Sequence, residues 1–93
     1  MIHCVVELFG MGRQLAGASN VRIELQEGAT VRDLLAALGE KSPGLLGGVL
    51  TDDGRALISA YSLGLNGRTF IDDLGLHPKD GDHFLIMLPA AGG

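Results

Sequence analysis

The chain has 93 residues, too few for two ordinary domains, so one domain is the expected organisation. A hydrophobic content of 46% supplies one modest core, and a charged fraction of 19% argues against wholesale disorder. The formal net charge of -4, with Lys and Arg scattered and no basic stripe, argues against nucleic acid and suits a basic groove on another protein.

The opening run from Ile2 to Phe9 alternates as a strand, with Ile2, Cys4, Val6 and Leu8 on one face. It contains Glu7 and lacks a basic start and a small-residue cleavage site, so it does not read as a signal peptide. Cys4 is the only cysteine, which excludes an internal disulfide, and its place in the alternation predicts a buried thiol filling core volume. Gly10, Gly12 and Gly17 then break the pattern and predict a long flexible loop, after which Val21, Ile23 and Leu25 mark a second strand.

Thr30-Val31-Arg32-Asp33 is a short-acid form of the capping pattern, and it predicts the start of a helix. Val31, Leu34, Leu35 and Leu38 recur at helical spacing as one apolar stripe, and Pro43-Gly44 stops the helix. Leu45, Leu46, Val49 and Leu50 suggest a short helical turn before a turn at Asp52-Asp53-Gly54. Tyr61, Leu63 and Leu65 alternate into Asn66-Gly67, the signal for a tight type I′ hairpin, with Arg68 to Ile71 as its return strand. Pro78 to Asp82 is a further turn, and His83 to Leu88 the last strand. That apolar run is too short to cross a bilayer, so the expected location is the cytoplasm, with no membrane partner.

One amphipathic helix covers one face of one sheet, which makes this an α+β two-layer domain. Placing the strongly apolar first and last strands side by side at the centre gives a parallel pair joined by a long crossover. That arrangement is the β-grasp, a mixed sheet of about five strands with one main helix. The expected organisation is a β-grasp domain over residues 1–88 and a flexible Gly-Gly tail over 89–93.

Four features carry a family resemblance: the helix opening Thr30-Val31-Arg32-Asp33-Leu34-Leu35, the Leu65-Asn66-Gly67 hairpin, Asp80-Gly81-Asp82 before the last strand, and the ending Leu88-Pro89-Ala90-Ala91-Gly92-Gly93. Together they resemble the ubiquitin-like sulfur carriers, which include the small subunit of molybdopterin synthase and the thiamin sulfur carrier. The resemblance implies that this chain is a carrier rather than an enzyme and binds no cofactor itself. A partner adenylating enzyme would use ATP to activate the carboxylate of Gly93, and a persulfide sulfur donor would convert it to a thiocarboxylate. The sulfur would then pass to the large subunit of molybdopterin synthase or to another sulfur-accepting enzyme. The molybdopterin pathway is the first choice, with cysteine, thiamin and tRNA thiolation as further branches. A protein modifier joined through Gly93 to target lysines uses the same activated carboxylate and is the competing reading.

The ending suits that chemistry. Gly92 and Gly93 lack Cβ atoms and let the backbone thread a narrow channel, Ala90 and Ala91 add little width, and Pro89 biases Leu88 toward an extended conformation. Fully extended, the segment after Leu88 spans on the order of 16–18 Å, enough to enter a deep active site. If Phe84, Ile86 and Leu88 face the helix, Leu85 and Met87 emerge on the opposite face with Val5 near them, a candidate partner-binding surface.

Other chemistry is weakly supported. His3, His77 and His83 lie far apart in sequence, and no metal site is expected. Asp80-Gly81-Asp82 lacks the remaining ligands of a calcium loop, and Gly10-x-Gly12 is followed by Leu15 where a dinucleotide fingerprint needs its third glycine.

Overall fold

The computed structural model describes residues 1–88 of the chain. In β1 (Ile2–Leu8) the predicted alternation holds, with Ile2, Cys4, Val6 and Leu8 buried and His3, Val5 and Glu7 turned to the other face. β2 (Asn20–Leu25) buries Val21, Ile23 and Leu25 and pairs antiparallel with β1 from Ile2↔Leu25 to Glu7↔Asn20. The last strand, β5 (His83–Met87), is the parallel neighbour of β1 on its other side, from Val5↔His83 to Leu8↔Ile86. β3 (Ser62–Leu65) and β4 (Thr69–Phe70) complete the order β2-β1-β5-β3-β4. The first and last strands therefore share the sheet centre, and with one main helix over one face this is the β-grasp.

That helix, α2 (Val31–Lys41), begins where its capping pattern predicts. The Thr30 hydroxyl accepts the Asp33 N–H at 3.3 Å, and the Asp33 carboxylate accepts the Thr30 N–H at 2.9 Å. The first two helical amides find partners far along the chain. The N–H groups of Val31 and Arg32 donate to the carbonyls of Leu76 and Leu74 at 2.8 and 3.0 Å. Val31, Leu34, Leu35 and Leu38 are fully buried, and they join the inward residues of the sheet in one core.

Several details depart from the expectation. Gly10 to Ala16 is not a loop but a helix, α1, ended by Gly17 in the left-handed conformation with its N–H donated to the Arg13 carbonyl. α1 packs on the segment after α2, where a Cβ on Gly44 would lie 2.3 Å from the Leu15 carbonyl oxygen, so only glycine admits this approach. Within that segment the helical turn is a single 3-10 turn, Pro43–Leu45; Leu45, Val49 and Leu50 are buried and Leu46 is exposed. Asn66 and Gly67 have the positive φ values of a type I′ turn, 54° and 68°, yet Leu65 pairs with Thr69, so Arg68 joins the connection and the return strand shortens to two residues. Leu88 lies beyond β5 and is 54% exposed, outside the core rather than against the helix.

Hydrogen bonds hold three carboxylates below the usual aspartate range: Asp33 through the Thr30 N–H, Asp53 through the Thr51 hydroxyl, and Asp80 through the His3 N–H. Each is a stronger acid folded than unfolded. Its contribution to stability is thus fully present above the ordinary aspartate value of 3.8 and is lost as pH falls through the depressed folded value. We expect the urea midpoint to stay level from neutral pH to about pH 5 and to fall below about pH 4. Asp80→Asn should lower the neutral-pH midpoint and make the acid limb shallower; an acid limb of unchanged steepness would remove Asp80 from this account.

Candidate functional site: the outer sheet face and the end of the last strand

Because β5 is central, its two faces have different surroundings. Phe84 and Ile86 point into the core, and His83, Leu85 and Met87 alternate with them on the face away from α2, all three partly buried. The strand registers lay out that outer face in rows. Val5 stands between Arg22 of β2 and His83 of β5. One row along runs Asn20, Glu7, Leu85, Gly64 and Phe70, across all five strands. Met87 follows opposite Ser62, and Phe9, whose backbone is still extended, carries the outward parity of β1 past its end. The structure therefore brings Val5, Leu85 and Met87 onto one face, as expected. It adds Phe70 and Phe9, which are 69% and 41% exposed. Phe9 was within reach of the sequence, since it shares the odd-numbered parity of Val5; Phe70 was not, because a two-residue Asn66-Gly67 hairpin would set it opposite Leu63, whereas the observed three-residue connection sets it opposite Gly64.

A polar pair sits among these apolar groups. His83 Nε2 lies 2.9 Å from Glu7 Oε1, with both side chains partly exposed. The His83 backbone is held from the hairpin side: its N–H donates to Asn66 Oδ1 at 2.8 Å, and its carbonyl accepts the Asn66 N–H at 2.7 Å. The Asn66 side-chain amide donates in turn to Asp82 Oδ1 at 3.1 Å, and Asp82 Oδ2 accepts the Lys79 N–H at 2.8 Å. On the β1 side, the N–H of His3 donates to Asp80 Oδ1 at 2.7 Å and the N–H of Gly81 to the His3 carbonyl at 2.8 Å. The two turn motifs of the sequence, Asn66-Gly67 and Asp80-Gly81-Asp82, thus form one clasp that aligns β5 with both neighbours.

The expected tail residues, Pro89, Ala90, Ala91, Gly92 and the carboxylate-bearing Gly93, lie outside the described residues. β5 brings the chain to Leu88 at the end of the sheet where β1 passes into α1 and β3 begins. The histidines occupy three separate places: His3 near Asp80 and Glu24, His83 on Glu7, and His77 with Nδ1 3.0 Å from the Gly28 carbonyl. Cys4 is 2% exposed, with Sγ 3.7 Å from the Lys79 carbonyl. Burial, then the charges of Asp82 and Asp80, push its thiol up from the ordinary range.

Fold and register define a small β-grasp protein of the ubiquitin-like class. The chain belongs to the ThiS family, whose model matches residues 6–93. Among solved structures it is similar to SAMP1 of Haloferax volcanii, with 32% identity, a TM-score of 0.83, and 98% of this chain and 99% of that one covered. It is also similar to a Pyrococcus furiosus protein assigned as molybdopterin converting factor subunit 1, with 30% identity, a TM-score of 0.77, and coverage of 97% and 100%. The Amycolatopsis orientalis BexX/CysO complex holds a chain of the same fold, at 22% identity, a TM-score of 0.72, and coverage of 97% and 99%. No curated protein matches this chain closely enough to count as a relative. Among the described residues, no helix is long and apolar enough to cross a membrane.

A thiol this buried and poorly ionised should be inert in the native state. We expect Cys4 to react with a disulfide reagent far more slowly in buffer than in denaturant; equal rates would show that Cys4 is open to solvent and available for sulfur chemistry.

Proposed function

We propose that this chain is a sulfur carrier, not an enzyme, and that the carboxylate of Gly93 is its working group. The observation that carries the reading is the ThiS match, which runs through the Gly-Gly pair at residues 92 and 93. A carboxylate does not acylate sulfur directly, because the leaving group would be oxide. A partner adenylating enzyme therefore joins it to the AMP portion of ATP and releases pyrophosphate. A persulfide sulfur displaces AMP, and a thiol reductant then frees the thiocarboxylate. Pro89, Ala90, Ala91 and Gly92 form the narrow segment that enters the partner, while Val5, Leu85 and Met87 dock against it. Molybdopterin synthesis is the pathway we favour, with the large synthase subunit as acceptor; the similarity to the Pyrococcus furiosus protein supports it.

A second reading, conjugation of Gly93 to lysines of target proteins, is favoured by the similarity to SAMP1, whose full name is small archaeal modifier protein 1. Intact mass of the protein isolated from its host separates the two. Replacement of one oxygen by sulfur marks the carrier, and a ladder of conjugates marks the modifier.

Deleting Gly93 should leave the melting temperature unchanged and abolish ATP–pyrophosphate exchange with the cognate adenylating enzyme. The deletion retracts the carboxylate by about 3.3–3.6 Å, and a misplacement of about 1 Å already costs on the order of a hundredfold. Gly92→Val, which stiffens and widens the segment, should behave alike. Normal exchange by the deletion variant would remove Gly93 as the reacting residue.

Val5→Asp combined with Leu85→Asp should weaken binding to the adenylating enzyme or the synthase subunit by several kcal/mol, since a charge would be driven into an apolar contact. Unchanged affinity in the folded double variant would place docking on another surface.

A further inference from the structure

The connection between β3 and β4 carries the one Asn-Gly pair of the sequence, Asn66-Gly67, and such a pair has a chemistry of its own. The backbone nitrogen of the glycine attacks the side-chain carboxamide carbon of the asparagine. The bond to the side-chain nitrogen breaks, ammonia leaves, and a succinimide ring joins the two residues. Water then opens the ring at one carbonyl or the other. The product is aspartate or its β-linked isomer, in which the main chain runs through the side-chain carboxyl. Glycine favours this path because it has no Cβ to crowd the attacking nitrogen. The other asparagine, Asn20, precedes the β-branched Val21 within β2 and lacks that freedom.

Asn66 is exposed to water, yet the fold holds its carboxamide away from this reaction. Oδ1 accepts the His83 N–H at 2.8 Å, and Nδ2 donates to Asp82 Oδ1 at 3.1 Å. These partners fix the orientation of the amide, since a flipped group would set donor against donor and oxygen against carboxylate. Both ends are therefore tied to β5 and the turn before it, and the carboxamide reaches the Gly67 nitrogen only after both contacts break. The product cannot rebuild them. A carboxylate at position 66 still accepts from His83, but it has no donor for Asp82 and places two carboxylates at hydrogen-bond distance. The β-linked isomer also lengthens the main chain inside a turn whose residues sit at φ 54° and 68°. We propose that Asn66 is a modification site, a deamidation switch gated by the clasp. While the hairpin is closed on β5 the amide is protected, each opening exposes it to ring closure, and conversion leaves the clasp permanently weakened. Water is the one co-reactant, and the inference does not depend on the carrier reading.

The test incubates the full chain at mildly alkaline pH, in buffer and in urea, and follows residues 66 and 20 by peptide mapping, with hydroxylamine cleavage after position 66 as the mark of the succinimide. We expect wild type to convert at Asn66 about tenfold or more slowly in buffer than in urea, with Asn20 intact in both, because only opened molecules react. Asp82→Ala, which removes the partner of Nδ2, should convert in buffer about threefold or more faster than wild type. Equal rates in buffer and urea would overturn the gate, no conversion in urea would overturn the site, and a wild-type rate for Asp82→Ala would remove the clasp from the account. The wild-type comparison stands whether or not that variant folds. A second arm tests the consequence. Asn66→Asp should lower the urea midpoint, and adding Asp82→Asn should restore most of the loss. The new carboxamide at 82 can donate to the carboxylate at 66 while its oxygen still accepts the Lys79 N–H. A wild-type midpoint for Asn66→Asp, or a double variant no more stable than Asn66→Asp alone, would overturn the switch.

Discussion

The parallel pairing of β1 with β5 is the constraint on which the rest of the molecule depends. These strands come from opposite ends of the described chain, so their alignment closes nearly the whole sequence into one loop, at an entropic cost that local contacts cannot offset. A slip of one residue would turn Phe84 and Ile86 outward and bring Leu85 and Met87 into the core. Hydrophobic burial disfavours that slip, and polar contacts before β5 reinforce the choice. The Asp80 carboxylate takes the N–H of His3, the His3 carbonyl takes the N–H of Gly81, and the Asp82 carbonyl takes the N–H of Val5 at 3.0 Å. The ladder is in effect started by the turn and only then continued by the strand.

The same economy appears at the start of α2. A helix leaves its first amides without internal partners, and here two of them are satisfied by carbonyls of the irregular stretch between β4 and β5. That stretch is held in return, since Leu74 and Leu76 cannot leave without exposing the amides of Val31 and Arg32. His77 adds a contact from its ring to the carbonyls of Gly28 and Ala29 just before the helix. The crossover helix and the return path to the central strand thus fix each other, and the register of β5 follows from a chain already placed.

Much of this is legible in the sequence. Period-two alternation identifies β1, β2 and the inward side of β5 residue by residue, and the Thr30 to Asp33 pattern locates the start of α2, because both signals are local. α1 was not legible. Its three glycines read as a loop, although Gly17 serves as the left-handed cap, Gly12 is buried where a Cβ would meet Leu8 and Val49 at ordinary contact distance, and the matching gap at Gly44 lies far away in sequence. Leu88 reads as a further core position by parity, but the strand ends one residue earlier and leaves it exposed. On the candidate surface Val5, Leu85 and Met87 follow from alternation alone. The position of Phe70 depends on how three connecting residues align β4 with β3, a tertiary outcome.

One strand supplies both the core and the surface next to the terminal segment, and this limits how the protein can change. Phe84 and Ile86 cannot be altered without disturbing the packing under α2, whereas His83, Leu85 and Met87 alternate with them on the same backbone. Under the carrier reading, docking on β5 would fix where the terminal segment begins, because only Ile86 and Met87 of the same strand separate Leu85 from Leu88. A docking surface on α2 would leave the terminal segment free to sample many positions relative to the partner. Docking on β5 instead restricts those positions before the segment enters the partner, and restriction of this kind is where proximity contributes most to a reaction between two bound groups. Under the carrier reading, placing the last strand at the centre of the sheet, rather than at an edge where it could fray, would serve the chemistry at the chain end as well as the fold.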